Sequence, residues 1–364
     1  MQDIVGRSKW EIDTPAFLVD LQKLKANIRR MADFFQGQAA DLRPHFKTPK
    51  TVEIARMQLE AGAIGITCAK VSEAEVLVAG GVTDVLMANE IAGPAKAARL
   101  AELNRRADVK CAVDAAAQVA FLSEAAERAG VTIGVVVDVY VGLPRCGVRP
   151  EDAATLAAQA AEAKGLRLAG VMGYEGHVVN VEDPEKRRAE AEKSMTALVR
   201  AAESIRAAGL PCEIVSAGGT GTYNMSGVFP GVTEVQAGSY CLMDAKYAKI
   251  LPEFEKAATI LASVCSTAPA LPGWTVTDAG IKCMTSEFGL PELIGVPDTR
   301  IVLLSEEHSQ LKTEGGTSPL KLGDKVEFHP SHICTTINLH ERMYVIEDDR
   351  VAAVWPILGR GRSQ

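Results

Sequence analysis

Residues 109–140 read VKCAVDAAAQVAFLSEAAERAGVTIGVVVDVY. Two β-branched runs, Val109–Asp114 and Thr132–Tyr140, flank an Ala-rich stretch of helical length, Ala115–Ala129. Neither run keeps a strict apolar–polar alternation, as expected of strands buried on both faces. A helical crossover joins parallel strands, whereas an antiparallel pair needs only a tight turn.

The same unit recurs on both sides. Strand-like runs are Ala16–Asp20, Leu42–Phe46, Ile64–Ala69, Asp84–Ala88, Leu166–Gly173, Glu213–Ser216 and Glu234–Ala237. Helix-like stretches include Leu21–Phe35, Val52–Ala61, Ser72–Ala79, Asp152–Ala163 and Pro184–Ala208. Eight such units close a (β/α)8 TIM-type barrel. Nine strands are present, so one lies outside, and Ala16–Asp20 is the natural one to join another domain. An open doubly wound sheet is the competitor, but no early glycine fingerprint of the dinucleotide type accompanies this pattern.

After about Lys249 the texture changes. Strand-like runs Ala257–Cys265, Trp274–Asp278, Arg300–Leu304, Lys325–Phe328, Ile333–Ile337, Arg342–Glu347 and Arg350–Pro356 are separated by turn signals such as Leu271-Pro272-Gly273 and Gly323-Asp324. This reads as a mainly antiparallel β domain. The expected architecture is therefore α/β: a barrel over residues 21–249, and a C-terminal β domain of 250–364 joined by the N-terminal strand within 1–20. A length of 364 residues suits two domains at roughly 150 residues each.

Composition narrows the function classes. Lys plus Arg is 39 and Asp plus Glu is 46, a net charge of −7, with no basic block. Nucleic-acid binding is excluded, because phosphate neutralisation needs clustered Lys and Arg. No window approaches 18 consecutive apolar residues, so no membrane span is expected. The stretch Met1 to Glu11 lacks the apolar run of a signal peptide. The eight cysteines form no C-x-x-C pair and mostly sit in apolar runs, which fits a reducing cytoplasm.

Three segments carry chemistry. Lys47, in Arg43-Pro44-His45-Phe46-Lys47-Thr48, falls at the C-terminal end of a barrel strand, the active-site side. An amine held there can form a Schiff base with a carbonyl substrate or with pyridoxal phosphate. Ser216-Ala217-Gly218-Gly219-Thr220-Gly221-Thr222 follows a late strand, where barrels often bind phosphate. Its glycines let backbone N–H groups approach an anion, and its hydroxyls add donors. Gln236-Ala237-Gly238-Ser239-Tyr240 ends the next strand. Lastly, His332 and Cys334 lie two apart, and on a strand they would share one face. An imidazole and a thiolate so placed suit Zn²⁺ better than Mg²⁺. Arg145 and Tyr174 also follow barrel strands; one can donate to a phenolate or carboxylate, the other can stack on a ring. His177, three residues after Tyr174, has the pKa range of a general base.

Taken in order, Thr14-Pro15, Leu18-Val19-Asp20, the Arg43–Thr48 segment, Lys70-Val71-Ser72-Glu73-Ala74-Glu75, Arg145-Cys146-Gly147-Val148, Gly218-Gly219-Thr220-Gly221, Gln236–Tyr240 and His332-x-Cys334 resemble the D-threonine aldolase and D-serine dehydratase family. These are pyridoxal-phosphate enzymes of the alanine-racemase-like fold type. The resemblance runs from about residue 12 to the C-terminus. It implies that Lys47 carries the cofactor, that Arg145 approaches the ring oxygen and Tyr174 the ring, and that Gly219, Thr220, Gly238, Ser239 and Tyr240 hold the phosphate, with Ser216 beside them. It further implies a divalent metal, Zn²⁺ or Mn²⁺, on His332 and Cys334 and against the substrate's β-hydroxyl. Homodimers are the usual assembly.

The implied activity is a lyase acting on β-hydroxy-D-amino acids. Arg-Pro-His-x-Lys-Thr and Asn338-Leu339-His340-Glu341 lean to the D-threonine aldolase side, with His177 or a metal-bound water as base. Many aldolases have Asp where Cys334 stands, and His-x-Cys is frequent in the dehydratases of D-serine and D-3-hydroxyaspartate. An amino-acid racemase, with Tyr344 as second base, is the third expectation.

Overall fold

In the computed structural model, which describes residues 4–364, the apolar runs of the first two-thirds become parallel strands. The chain lays down β1 (Ala16–Asp20) and α1 (Leu21–Phe35), then alternates. The order is β2 (Asp41–Leu42), α2 (Val52–Glu60), β3 (Ile66–Cys68), α3 (Val71–Ala79), β4 (Asp84–Glu90), α4 (Pro94–Leu103), β5 (Asp108–Val113) and α5 (Ala116–Ala129). It continues with β6 (Ile133–Asp138), α6 (Ala153–Glu162), β7 (Leu166–Met172), α7 (Pro184–Ala207), β8 (Ile214–Ala217), α8 (Tyr223–Ser226) and β9 (Glu234–Val235). Contacts divide the chain into two units. One holds Met31–Lys47, Ile54–Gly238 and Arg362–Gln364; the other holds the residues up to Arg30, Thr48–Glu53 and Ser239–Gly361.

The first unit is the barrel. Its eight parallel strands run in the order β2-β9-β8-β7-β6-β5-β4-β3. A parallel bridge between His45 and Thr67 closes the ring, with Phe46 N–H donating to Thr67 O at 2.7 Å and Thr67 N–H to Pro44 O at 2.8 Å. Regular pairing of β2 stops at Leu42, short of the expected Phe46, since Pro44 has no N–H to donate. Val135, Val136 and Val137 are fully buried, and Leu86, Ala112, Val136, Ala169 and Met172 form one core cluster. Each such valine contributes about 1.5–3 kcal/mol by leaving water.

Local chemistry punctuates the helices. On α5, Val119, Leu122, Ala125 and Ala126 make the buried stripe, and Gly130 ends the helix at φ 65°. On α7, the Asp183 carboxylate accepts from the N–H groups of Glu185 and Lys186, and Pro184 occupies the first turn.

The second unit adds β10 (Ala258–Ser266), β11 (Trp274–Thr277), β12 (Glu292–Leu293), β13 (Thr299–Leu304), β14 (Ser309–Thr313), β15 (Lys325–His329), α9 (Ile333–Ile337), β16 (Arg342–Glu347) and β17 (Arg350–Pro356). Its sheet runs β13-β14-β11-β10-β1-β16-β17, with β15 pairing β10 and β12. The pairs are antiparallel except β1 with β16, and β1 joins this sheet as expected, between β10 and β16: Ala16 faces Leu261, and Leu18 faces Tyr344. Ile12, Ala16, Leu18, Leu261, Ile346 and Val351 form its core, with Tyr344 packed against them.

Two further departures from expectation stand out in the second unit. Ile333–Ile337 is a short helix, not a strand, so His332 and Cys334 do not share a strand face: His332 is the helix N-cap and Cys334 lies in the first turn. Burial of Ile333 and Ile337 at i and i+4 explains the helix, and the buried Asp244 carboxylate accepts the Ile333 N–H at 3.1 Å. β14 reads as polar sequence, yet Ser309 and Thr313 are buried, and the Ser309 and Thr277 hydroxyls bond to each other at 2.5 Å. Among the described residues, no helix is long and apolar enough to cross a membrane.

Candidate active site

In the barrel unit, side chains gather around the Tyr174 ring at the C-terminal ends of the strands. Lys47, two residues past the His45 bridge, places Nζ 5.3 Å from the ring centroid. Arg145, in the loop after β6, places its guanidinium carbon 5.6 Å from the same centroid. Both cations are drawn to the negative face of the ring. On the loop after β8, a Cβ at Gly219 would come within 3.1 Å of the Tyr174 ring, tighter than ordinary contact, so a larger residue there would push on the ring. Ser216 is buried and its hydroxyl accepts from Gln236 Nε2 at 2.8 Å. Thr220 opens a buried 3-10 turn, Thr220–Thr222, and Gly238 follows β9. His177 is exposed, and its ring lies against Gly142, where a Cβ would come within 2.5 Å.

Beside Arg145 lies a trio that sequence reasoning did not single out. Glu90, Asp138 and Cys146 bring their ligand atoms within 4.8 Å of one another. The Cys146 thiol donates to Asp138 Oδ2 at 3.1 Å, and Arg145 Nε donates to the same sulfur at 3.4 Å. Burial, then the neighbouring Glu90, pushes Asp138 up to about 8, and burial with Asp138 and Glu90 pushes Cys146 up to about 12 against the pull of Arg145. Asp138 and Cys146 therefore hold their protons at neutral pH.

In the second unit, His332 and Cys334 flank the start of α9. The Cys334 sulfur is 3.1 Å from Thr48 Oγ1 and 3.5 Å from Ser239 Oγ, and those two hydroxyls are 3.3 Å apart. His332 stacks on Phe288, with centroids 4.1 Å apart at 19°, and its Nδ1 is 2.7 Å from Glu287 Oε1. Thr335 donates to the same carboxylate. Burial opposes protonation of His332, but Cys334, Glu287 and Asp244 outweigh it and raise the imidazole to about 9. Burial likewise opposes charge on Glu287, yet its hydrogen bonds hold it down at about 2. Tyr240 is fully buried, edge-on to Phe254 at 6.0 Å. Glu287 and Asp244 carry no sequence signal, being single acidic residues outside any motif.

The family description "Alanine racemase, N-terminal domain" matches residues 19–246, and "Putative serine dehydratase domain" matches 257–346. The chain belongs to the alanine-racemase-like family. It is 36% identical to a 3-hydroxy-D-aspartate aldolase of Paracoccus denitrificans, over 98% of this chain and 95% of that one. The structure of a D-threonine aldolase from Filomicrobium marinum superposes with a TM-score of 0.95, at 37% identity over 99% of both chains. A D-threo-3-hydroxyaspartate dehydratase, in a cysteine-to-alanine variant solved in its metal-free form, gives 0.86 at 30% identity over 96% and 98%.

This family is one of pyridoxal-phosphate enzymes, and the aldolase relatives are carbon–carbon lyases. The residues present suit that cofactor. A lysine amine and an arginine face one aromatic ring, and Gly219 leaves open the space a Cβ would fill beside it. The donor set of His332 and Cys334, borderline nitrogen and soft sulfur, suits a divalent transition metal.

Proposed function

We propose that this protein is a metal-assisted, pyridoxal-phosphate-dependent lyase of β-hydroxy-D-amino acids, cleaving D-threonine to glycine and acetaldehyde. The observation that carries the reading is the approach of Lys47 and Arg145 to the Tyr174 ring, at the strand ends where barrels do chemistry. Likeness to the D-threonine aldolase structure supports the choice of substrate.

Each residue then has a task. Lys47 attaches the cofactor, Tyr174 supports its ring, and Arg145 faces its ring oxygen. Ser216, Gly219, Thr220, Gly238, Ser239 and Tyr240 receive the phosphate. His332 and Cys334 bind the metal, and Glu287 fixes the imidazole so that Nε2 is the ligand atom. His177 takes the β-hydroxyl proton as that oxygen becomes the carbonyl of acetaldehyde. When bound, pyridoxal phosphate supplies an electron sink for the bond broken at Cα, and the metal supplies Lewis acidity at the hydroxyl.

A second reading has its own observation. The dehydratase relative has been solved with a histidine and a cysteine replaced two positions apart, the spacing of His332 and Cys334. In that reading Lys47 removes the Cα proton and the hydroxyl leaves as water.

The purified chain with D-threonine, pyridoxal phosphate and either Zn²⁺ or Mn²⁺ separates the two. Glycine with acetaldehyde supports the aldolase; 2-oxobutanoate with ammonia replaces it by the dehydratase. We assign the protein to the cytoplasm as a homodimer. The eight cysteines are free, which suits a reducing compartment.

A further inference from the structure

Glu175 follows Tyr174 directly and is 0% exposed. Its carboxylate meets three donors, all from the segment after β8. Thr222 Oγ1 donates to Oε1 at 2.6 Å, Ser226 Oγ to Oε1 at 2.7 Å, and Gly218 N–H to Oε2 at 3.2 Å. A buried carboxylate is costly unless such donors replace its water.

We propose that Glu175 is a positioning residue that locks the glycine-rich loop 218–222 in its phosphate-receiving form; this rests on the cofactor reading above. The Thr222 hydroxyl can donate one hydrogen bond, and it donates it to Glu175. The oxygen's lone pair is thereby turned to accept from Gly219 N–H at 3.3 Å. The carboxylate thus fixes Gly218 directly and Gly219 through Thr222. Two consecutive residues hold the loop from two sides: the Tyr174 ring lies against Gly219, and the Glu175 carboxylate grips Gly218, Thr222 and Ser226. The hydroxyls of Thr222 and Ser226 are spent on Glu175, so they are not phosphate donors. In Glu175→Gln, an amide N–H₂ would oppose the Gly218 N–H or a hydroxyl proton, and the loop would lose its hold.

The test compares pyridoxal phosphate with pyridoxal, which lacks the phosphate, by absorbance titration of the full-length apoprotein. Wild type should prefer the phosphorylated form. Glu175→Gln should cut that preference by about tenfold or more, the scale of a lost charge-assisted hydrogen bond, while pyridoxal affinity holds. Thr222→Val should act in the same direction, and Ser226→Ala less, since Ser226 Oγ does not hold a loop glycine; these variants decide the matter if Glu175→Gln does not fold. A preserved preference in Glu175→Gln and Thr222→Val overturns the proposal. So does equal loss of both ligands, which marks a general structural role. Wild type without any preference refutes the phosphate loop itself, and the cofactor reading with it.

Discussion

The Glu287 carboxylate lies 2.7 Å from Nδ1 of His332, on the ring that stacks against Phe288. A histidine bonded through one nitrogen presents the other, and the carboxylate raises its basicity. Glu287→Ala should therefore weaken Zn²⁺ affinity by about 10–100-fold while the fold persists. Calorimetric metal titration reads this directly. Unchanged affinity would remove Glu287 from the metal's supporting shell.

His332→Ala and Cys334→Ala should cost bound metal and activity together, with cofactor absorbance retained. Full activity in a metal-free variant would refute the assignment of these two residues.

Lys47→Ala should abolish the visible absorbance of covalently held pyridoxal phosphate. An unchanged spectrum would sink the cofactor assignment, because Lys47 is the amine placed at the Tyr174 ring.

Arg43 lies in the segment that resembles the family motif, yet it reaches the opposite end of the barrel strands. It is buried with Glu234, its Nε 2.9 Å from Glu234 Oε2, and its Nη1 is 2.5 Å from Asp84. Glu234 Oε1 is buried without a hydrogen-bond partner, so Arg43 is its main compensation. Arg43→Met should destabilise the protein by about 3–5 kcal/mol, the cost of stranding a buried charge. Denaturant midpoints measure it; a loss below about 1 kcal/mol would contradict the buried-pair account.

Asp138 gives a pH signature. Its folded pKa is raised to about 8 by burial and Glu90, so the folded protein keeps a proton that the unfolded chain releases above about pH 4. The stability gained from that proton is full at low pH and is lost progressively between about pH 4 and 8. Asp138→Asn cannot ionise. Its melting temperature relative to wild type should rise as pH goes from about 5 to about 9. A constant difference across that range would mean that Asp138 does not hold the proton.

The barrel was legible because its strands are apolar on both faces and separated by helical lengths. That pattern needs no knowledge of distant contacts. Lys47, Arg145 and Tyr174 were legible for the same reason: barrel topology sends the residues after each strand to one end. The start of α9 was misread, since a short apolar run suits strand and helix alike. The deciding signal was Ile333 with Ile337, four apart and both buried. β14 was missed because two of its three buried residues, Ser309 and Thr313, are hydroxylic and bond to Thr277 and Thr299 on the neighbouring strands.

The sequence by itself determined the alternation of elements, the membership of β1 in the second sheet and the lysine, glycine and His-x-Cys segments. Each depends on local periodicity or on residue chemistry at short spacing. Only the tertiary structure decided that Glu175 grips the glycine loop, that Glu287 orients His332 and that Asp138 is brought against Glu90. These are acidic residues whose partners lie 43, 45 and 48 positions away in the chain, and a carboxylate's role is set by which donors or charges surround it once water has been excluded.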